Sequence, residues 1–127
     1  CGSGILAAAA IVAGARHANA CDIDPVAVEA AERNARLNGV EDSVRIVFGS
    51  LEECAEGKYD VILANITADV LIAMSNSFRD RLKEGGALIM SGVINSRAAQ
   101  VEEAMKSAGF TLEEKRTDKE WTGYLWR

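Results

Sequence analysis

Asp22 and Asp24 stand about 20 residues beyond a glycine turn, Gly2-Ser3-Gly4, and that spacing is the one by which α/β domains hold nucleotides. Glycines let the backbone approach a ligand closely, and a carboxylate offers two acceptor oxygens to the hydroxyls of a ribose. Gly2-x-Gly4-x-x-Ala7 with Asp22 satisfies the dinucleotide fingerprint in its alanine form, and taken alone it suits an NAD-binding domain. Asp24 precedes Pro25 and reads as a helix N-cap. A second candidate for chemistry is Asn65, which ends the apolar run Tyr59–Asn65 and is followed by Ile66-Thr67. The Asn65 amide oxygen and the Ile66 carbonyl can accept hydrogen bonds from an amine and aim its lone pair. The three cysteines, Cys1, Cys21 and Cys54, are widely spaced without a CxxC pair, and His17 has no partner at metal-ligand spacing. They read as small apolar residues in a reducing cytosol, and His17 as structural.

Elements must place these groups. The 127 residues suffice for one domain with a real core; 49% are hydrophobic and 26% charged, as in ordinary soluble proteins. A net charge of −5 argues against broad binding to a phosphate backbone, so no direct nucleic-acid contact is expected. No apolar run is long enough to span a bilayer and nothing resembles a signal peptide, so the expected location is cytoplasmic, without membrane association. A start at Cys1 marks the chain as an expected fragment.

Residues 5–13 are apolar on every face and predict a buried helix stopped by Gly14. Residues 17–21 read as a short strand delivering Asp22 and Asp24. A helix follows to about Asn38, with Val28, Ala31 and Ala35 on one stripe and Gly39 as its stop. Val44–Phe48 reads as a strand, residues 51–55 as a short helical piece, and Tyr59–Asn65 as a strand buried on both faces. Thr67 caps a predicted helix carrying Leu71, Met74, Phe78 and Leu82, which Gly85-Gly86 breaks before a strand over 87–91. Ser96 starts another helix, with Val101, Ala104, Met105 and Ala108 on one face and Gly109 as its stop. Residues 110–116 and 120–126, joined by Thr117-Asp118-Lys119, predict an antiparallel hairpin. Trp121 and Trp126 read as core or edge packing. The expected architecture is one α/β domain over residues 1–127: a helix, four rounds of strand and helix, and a terminal hairpin.

Three features move the reading away from a dinucleotide domain: the Asp22-Ile23-Asp24-Pro25 doublet, the polar end of strand 59–65, and the antiparallel edge. Together they resemble class I S-adenosylmethionine-dependent methyltransferases, which have a Rossmann-like, mostly parallel sheet with a C-terminal antiparallel hairpin. The segments Cys1-Gly2-Ser3-Gly4-Ile5-Leu6-Ala7, Asp22-Ile23-Asp24-Pro25, Asn34-Ala35-x-x-Asn38-Gly39-Val40, Ala64-Asn65-Ile66, Gly85-Gly86-x-Leu88-Ile89, Ser91-Gly92, Gly109-Phe110 and Glu120-Trp121 resemble the ribosomal protein L11 methyltransferase (PrmA) family. The resemblance runs in order along essentially the whole chain. It also implies that a first strand ending in an acid, and an N-terminal substrate-recognition domain, are absent from this chain.

The resemblance implies S-adenosylmethionine as cofactor and a ribosomal protein as substrate, methylated on lysine side chains and its N-terminal amine. Gly2, Ser3, Gly4, Asp22, Ile23, Gly49, Ser50 and Asn65 are then cofactor-binding candidates: the glycine turn by the methionine part, Asp22 on the ribose, Ile23 against the adenine face, and Gly49 and Ser50 near its edge. Asn65 and Ile66 are the catalytic candidates. Asn65-Ile66-Thr67 departs from the Asn-Pro-Pro-Tyr motif of the adenine- and glutamine-methylating groups. Alternatives that remain open are a small-molecule methyltransferase, an NAD-binding oxidoreductase, and an inactive remnant of low stability.

Overall fold

A computed structural model describes residues 1–54 and 57–127, so Ala55, the end of the expected short helical piece, lies outside the described residues. The chain divides into two compact units, Cys1–Glu56 and Gly57–Arg127.

In the first unit, α1 (Ile5–Val12) precedes β1 (Ala18–Asp22), α2 (Pro25–Leu37), β2 (Val44–Phe48) and the one-turn α3 (Leu51–Cys54). β1 and β2 pair in parallel, with Ala18 opposite Val44 and Asp22 opposite Phe48. A parallel pair needs a crossover, and α2 supplies it. α2 begins where its sequence dictates: the Asp24 carboxylate accepts from Val26 N–H at 2.9 Å, and Pro25 opens the first turn. Its stop is Gly39 at φ 64°, a left-handed position that costs glycine nothing. Ala8, Ala35 and Val40 form the core of this unit, with Ile11, Val44 and Ile46 packed against it.

The second unit comprises β3 (Tyr59–Asn65), α4 (Ala68–Ala73), α5 (Ser75–Arg81), β4 (Leu82–Ile94), a 3-10 turn (Asn95–Arg97), α6 (Ala98–Ser107), β5 (Leu112–Asp118) and β6 (Trp121–Trp126). Its four-stranded sheet has the order β3-β4-β6-β5. β3 and β4 are parallel, while β6 runs antiparallel to both β4 and β5. Leu71, Leu88, Val93, Val101, Met105 and Trp126 are fully buried and form the centre of its core. Burying each such side chain contributes about 1.5–3 kcal/mol. The 3-10 turn is tied to the hairpin through Asn95. Its N–H donates to Glu120 O at 2.9 Å, its Nδ2 to Lys119 O at 2.8 Å, and its Oδ1 accepts from the buried Thr122 hydroxyl at 2.7 Å.

Several expectations require correction. α1 is not buried all round: Ala8 is its only buried residue and Val12 is 79% exposed, because a two-stranded sheet with one crossover helix covers only one side of it. β3 is not buried on both faces. Among the described residues it pairs only with β4, and Val61 stands half exposed. The helix expected through Leu82 is interrupted at Met74 (φ −94°, ψ 3°), and Leu82 already belongs to β4. Thr67 is the N-cap of α4 by position, without a side-chain cap hydrogen bond. Gly85-Gly86 does not precede a strand but lies inside β4. Tyr59 pairs with Leu82 and Val61 with Ala87, so residues 83–86 bulge out, and Gly86 sits where a Cβ would be 2.9 Å from Lys83 O. β4 also continues beyond Ser91 to Ile94. Ser96 falls in the 3-10 turn, and α6 starts at Ala98. In the hairpin, Thr117 and Asp118 are strand residues, which leaves Lys119 (φ 53°) and Glu120 to turn the chain. Trp126 is fully buried, whereas Trp121 is half exposed opposite Ile94. No helix among the described residues is long and apolar enough to cross a membrane.

Candidate functional site

The glycine turn folds on itself through Gly4 N–H to Cys1 O at 2.9 Å. Gly2 and Gly4 both have positive φ, 56° and 76°, but their surroundings differ. A Cβ on Gly4 would lie 3.0 Å from Ala31 Cβ and 3.2 Å from Ala31 Cα, so Gly4 is required by the close packing of the turn on α2. A Cβ on Gly2 would meet nothing within 4 Å. Of the two, Gly2 faces open space that a ligand can enter. Ser3 contributes its carbonyl, which accepts from Asn34 Nδ2 at 2.9 Å, and Asn34 O in turn accepts from Asn38 Nδ2 at 2.7 Å. Asn34 therefore anchors the turn to α2, a role the sequence reading did not assign it.

Asp22 closes the other side of the turn. Its Oδ2 accepts from Gly2 N–H at 2.8 Å and from the Cys1 amino group at 2.5 Å, and its Oδ1 accepts from Asp24 N–H at 3.0 Å. The N–H groups of Gly2 and Asp24, with the Cys1 nitrogen, hold this carboxylate in place. It is ionised at any physiological pH and its orientation is fixed. A carboxylate has about four acceptor positions, so roughly one remains, on Oδ1. Asp24, by contrast, spends its side chain on the α2 cap.

Ile23, between the two acids, is 75% exposed. Phe48 is 61% exposed and is the register partner of Asp22, so its side chain leaves the same face of the sheet. Sequence reasoning missed Phe48; its place as the last residue of a strand was the available signal. Gly49 donates its N–H to Asp22 O at 2.9 Å, which ties the turn after β2 to the end of β1. Its φ of 145° and a Cβ position 2.9 Å from Glu53 Cβ make it obligatory there. Ser50 begins α3: its N–H and hydroxyl both donate to Glu53 Oε2 at 2.6 Å, which is one half of a capping box, and its hydroxyl oxygen accepts from Glu52 N–H at 3.3 Å. Hydrogen bonding by Ser50 holds the Glu53 carboxyl below its usual range. The Ser50 side chain is thus engaged in the helix start, leaving exposed edges of the turn rather than a free hydroxyl.

In the second unit, Asn65 is exposed at the carboxyl end of β3, paired with Ser91. One residue further along β4, Gly92 has φ 79°, and a Cβ there would lie 2.9 Å from Asn65 Oδ1 and 3.2 Å from Ile66 O. Gly92 thus leaves room for the two oxygens singled out as amine acceptors. It too was missed as a site residue. His17 lies at the opposite end of β1, in a shallow polar hollow of about 330 Å³ lined also by Asn19, Glu41, Asp42 and Arg45. Among the described residues no group of three or more His, Cys, Asp or Glu is arranged to hold a metal ion.

Residues 1–126 match the ribosomal protein L11 methyltransferase (PrmA) family. The ribosomal protein L11 methyltransferases of Exiguobacterium sp. and Bacillus subtilis are each 41% identical over 124 residues, covering 98% of this chain but 40% of their own length. Among solved structures, the ribosomal protein L11 methylase of Lactobacillus delbrueckii subsp. bulgaricus is similar with a TM-score of 0.95 at 35% identity, covering 99% of this chain and 65% of that one. An RNA methyltransferase from Salinibacter ruber, solved with S-adenosyl-L-homocysteine, shares the fold at a TM-score of 0.76 and 23% identity, over 98% of this chain and 74% of that one. The fold is that of the class I methyltransferases, and the chain belongs to the ribosomal protein L11 methyltransferase family.

Proposed function

We propose that this chain works as one S-adenosylmethionine-dependent methyltransferase domain, transferring methyl groups to amino groups of a large-subunit ribosomal protein: lysine side chains and the N-terminal amine. It spans 40% of the length of the curated relatives it matches, so the activity belongs to a longer protein of which these residues are the catalytic part. The observation that carries the reading is the pairing of family membership with an open glycine position beside a fixed, ionised acid, Gly2 and Asp22.

The residues present fit the cofactor. Gly2 leaves space where a side chain would obstruct the methionine portion, the open position on Asp22 Oδ1 accepts a ribose hydroxyl, and Ile23 and Phe48 offer exposed apolar surface to an adenine ring. When bound, the cofactor supplies an activated methyl group on a sulfonium, which needs alignment more than protein chemistry. The chain's own contribution is then to hold the acceptor nitrogen. The Asn65 amide oxygen and the Ile66 carbonyl accept hydrogen bonds from the amine and fix the direction of its lone pair. A lysine amine, with a pKa near 10.4 in water, must first lose a proton, and a poorly hydrated site favours the neutral form.

Incubating the protein with radiolabelled S-adenosylmethionine and purified ribosomal protein L11, then hydrolysing the product, tests this directly. Label in N-methylated lysine is the expected result. Asn65→Ala should lower kcat by on the order of 100-fold, since misalignment costs that much. Label confined to other side chains, or transfer to free metabolites alone, would overturn the reading.

A further inference from the structure

We infer that Arg97 is a positioning residue for methyl transfer: its ion pair with Asp69 holds the turn carrying Asn65 and Ile66 against Gly92. The inference rests on the acceptor reading of Asn65 and Ile66 given above. The ladder between β3 and β4 ends at Asn65 and Ser91, so it does not extend to Ile66 or Gly92. On the other side of β4, the register with β6 shifts between Met90 and Val93. The two acceptor oxygens therefore lie where regular pairing stops. They rest against a glycine whose Cβ position is 2.9 Å from Asn65 Oδ1 and 3.2 Å from Ile66 O.

Beyond the ladder, a side-chain clasp joins the two segments. Arg97 Nη2 donates to Asp69 Oδ1 at 2.5 Å, and Arg97 Nε donates to Gln100 Oε1. Asp69 stands in the first turn of α4, just after the Asn65-Ile66-Thr67 turn, and Arg97 immediately precedes α6. α4 and α6 pack against each other, so the clasp bridges their starts. Its Arg97 end is firmly based, because Asn95, in the same 3-10 turn, makes three hydrogen bonds to the hairpin. A continuous path thus runs from the hairpin through Asn95, Arg97 and Asp69 to the turn that carries the acceptors.

The stability of α6 does not explain an arginine at this position. Arg97 is the N-cap of α6 yet makes no side-chain cap hydrogen bond. Ser, Thr, Asp and Asn are the favoured residues there, and a cation at a helix start opposes the macrodipole. Nor does the fold depend on the pair, since exposed ion pairs contribute little to stability and the Asp69 side chain is 77% exposed. Alignment is more sensitive than folding. A displacement of about 1 Å at the reacting atoms costs on the order of 100-fold in rate.

Arg97→Ala in the protein should lower kcat for methyl transfer to ribosomal protein L11 by roughly tenfold, leaving KM for L11 and the urea midpoint nearly unaltered. Asp69→Ala should lower kcat equally, and the double variant no further, because each change removes the same interaction. Additive losses, or a raised KM in place of a lowered kcat, would mean that Arg97 meets the substrate directly and would overturn the inference. A readout independent of turnover is the NMR order parameter of the Asn65 side-chain amide, assigned by its disappearance in Asn65→Ala. It should fall in Arg97→Ala, and an unchanged value overturns the clasp even in a protein that transfers no methyl group. Full kcat in Asn65→Ala counts against the acceptor reading itself. Reduced kcat in Asn65→Ala beside full kcat in Arg97→Ala overturns the positioning role alone.

Discussion

Two aspartates two residues apart do different work here, and their hydrogen bonds decide which. Asp24 turns its carboxylate onto Val26 N–H and caps α2, while Asp22 receives Gly2, Asp24 and the Cys1 amine. Asp24→Ala should cost about 1 kcal/mol of stability by urea unfolding, the usual cost of a lost cap, with cofactor affinity nearly unchanged. Gly92→Ala sets a Cβ against Asn65 Oδ1 and Ile66 O at a left-handed backbone position. It should cost about 1–2 kcal/mol from backbone strain and reduce methyl transfer well beyond that loss of stability. Asp22 and Gly2 were legible in the sequence because their spacing is local. The distinct jobs of Gly4 and Gly92 were not, because each is set by a neighbour reached only in three dimensions, Ala31 and Asn65.

At the scale of elements, the periodicities of α2 and α6 and the apolar runs of β2 and β3 told the sequence reading where those elements lie. Errors came where a local signal met a tertiary one. Leu82 kept helical spacing with Phe78, yet the ladder to Tyr59 takes it into β4. The glycines that read as a break are absorbed as a bulge, since Gly86 fits against the Lys83 and Asp60 carbonyls and Gly85 takes a left-handed φ of 72°. The all-round apolar pattern of α1 signalled burial, but a helix is buried only as far as neighbours cover it. Asn95 gives this scale its test. It joins the 3-10 turn to the hairpin by three hydrogen bonds, one of them from the buried Thr122 hydroxyl. Asn95→Ala leaves that hydroxyl with only the longer contact to Thr117 Oγ1, at 3.3 Å. A loss of about 1–3 kcal/mol is expected in urea unfolding monitored by tryptophan fluorescence, since Trp121 and Trp126 lie on the adjoining strand.

For the whole molecule, the fold and family were legible because the motifs that carry the resemblance run in order from Cys1 to Trp121. The central claim is that Gly2 and Asp22 hold the nucleoside and methionine of the cofactor, and calorimetric titration with S-adenosylhomocysteine tests it most directly. The protein should bind one equivalent, and Asp22→Ala should weaken that binding tenfold or more, a loss of at least about 1.4 kcal/mol. Absence of binding by the unaltered protein, or equal affinity in Asp22→Ala, would contradict the account.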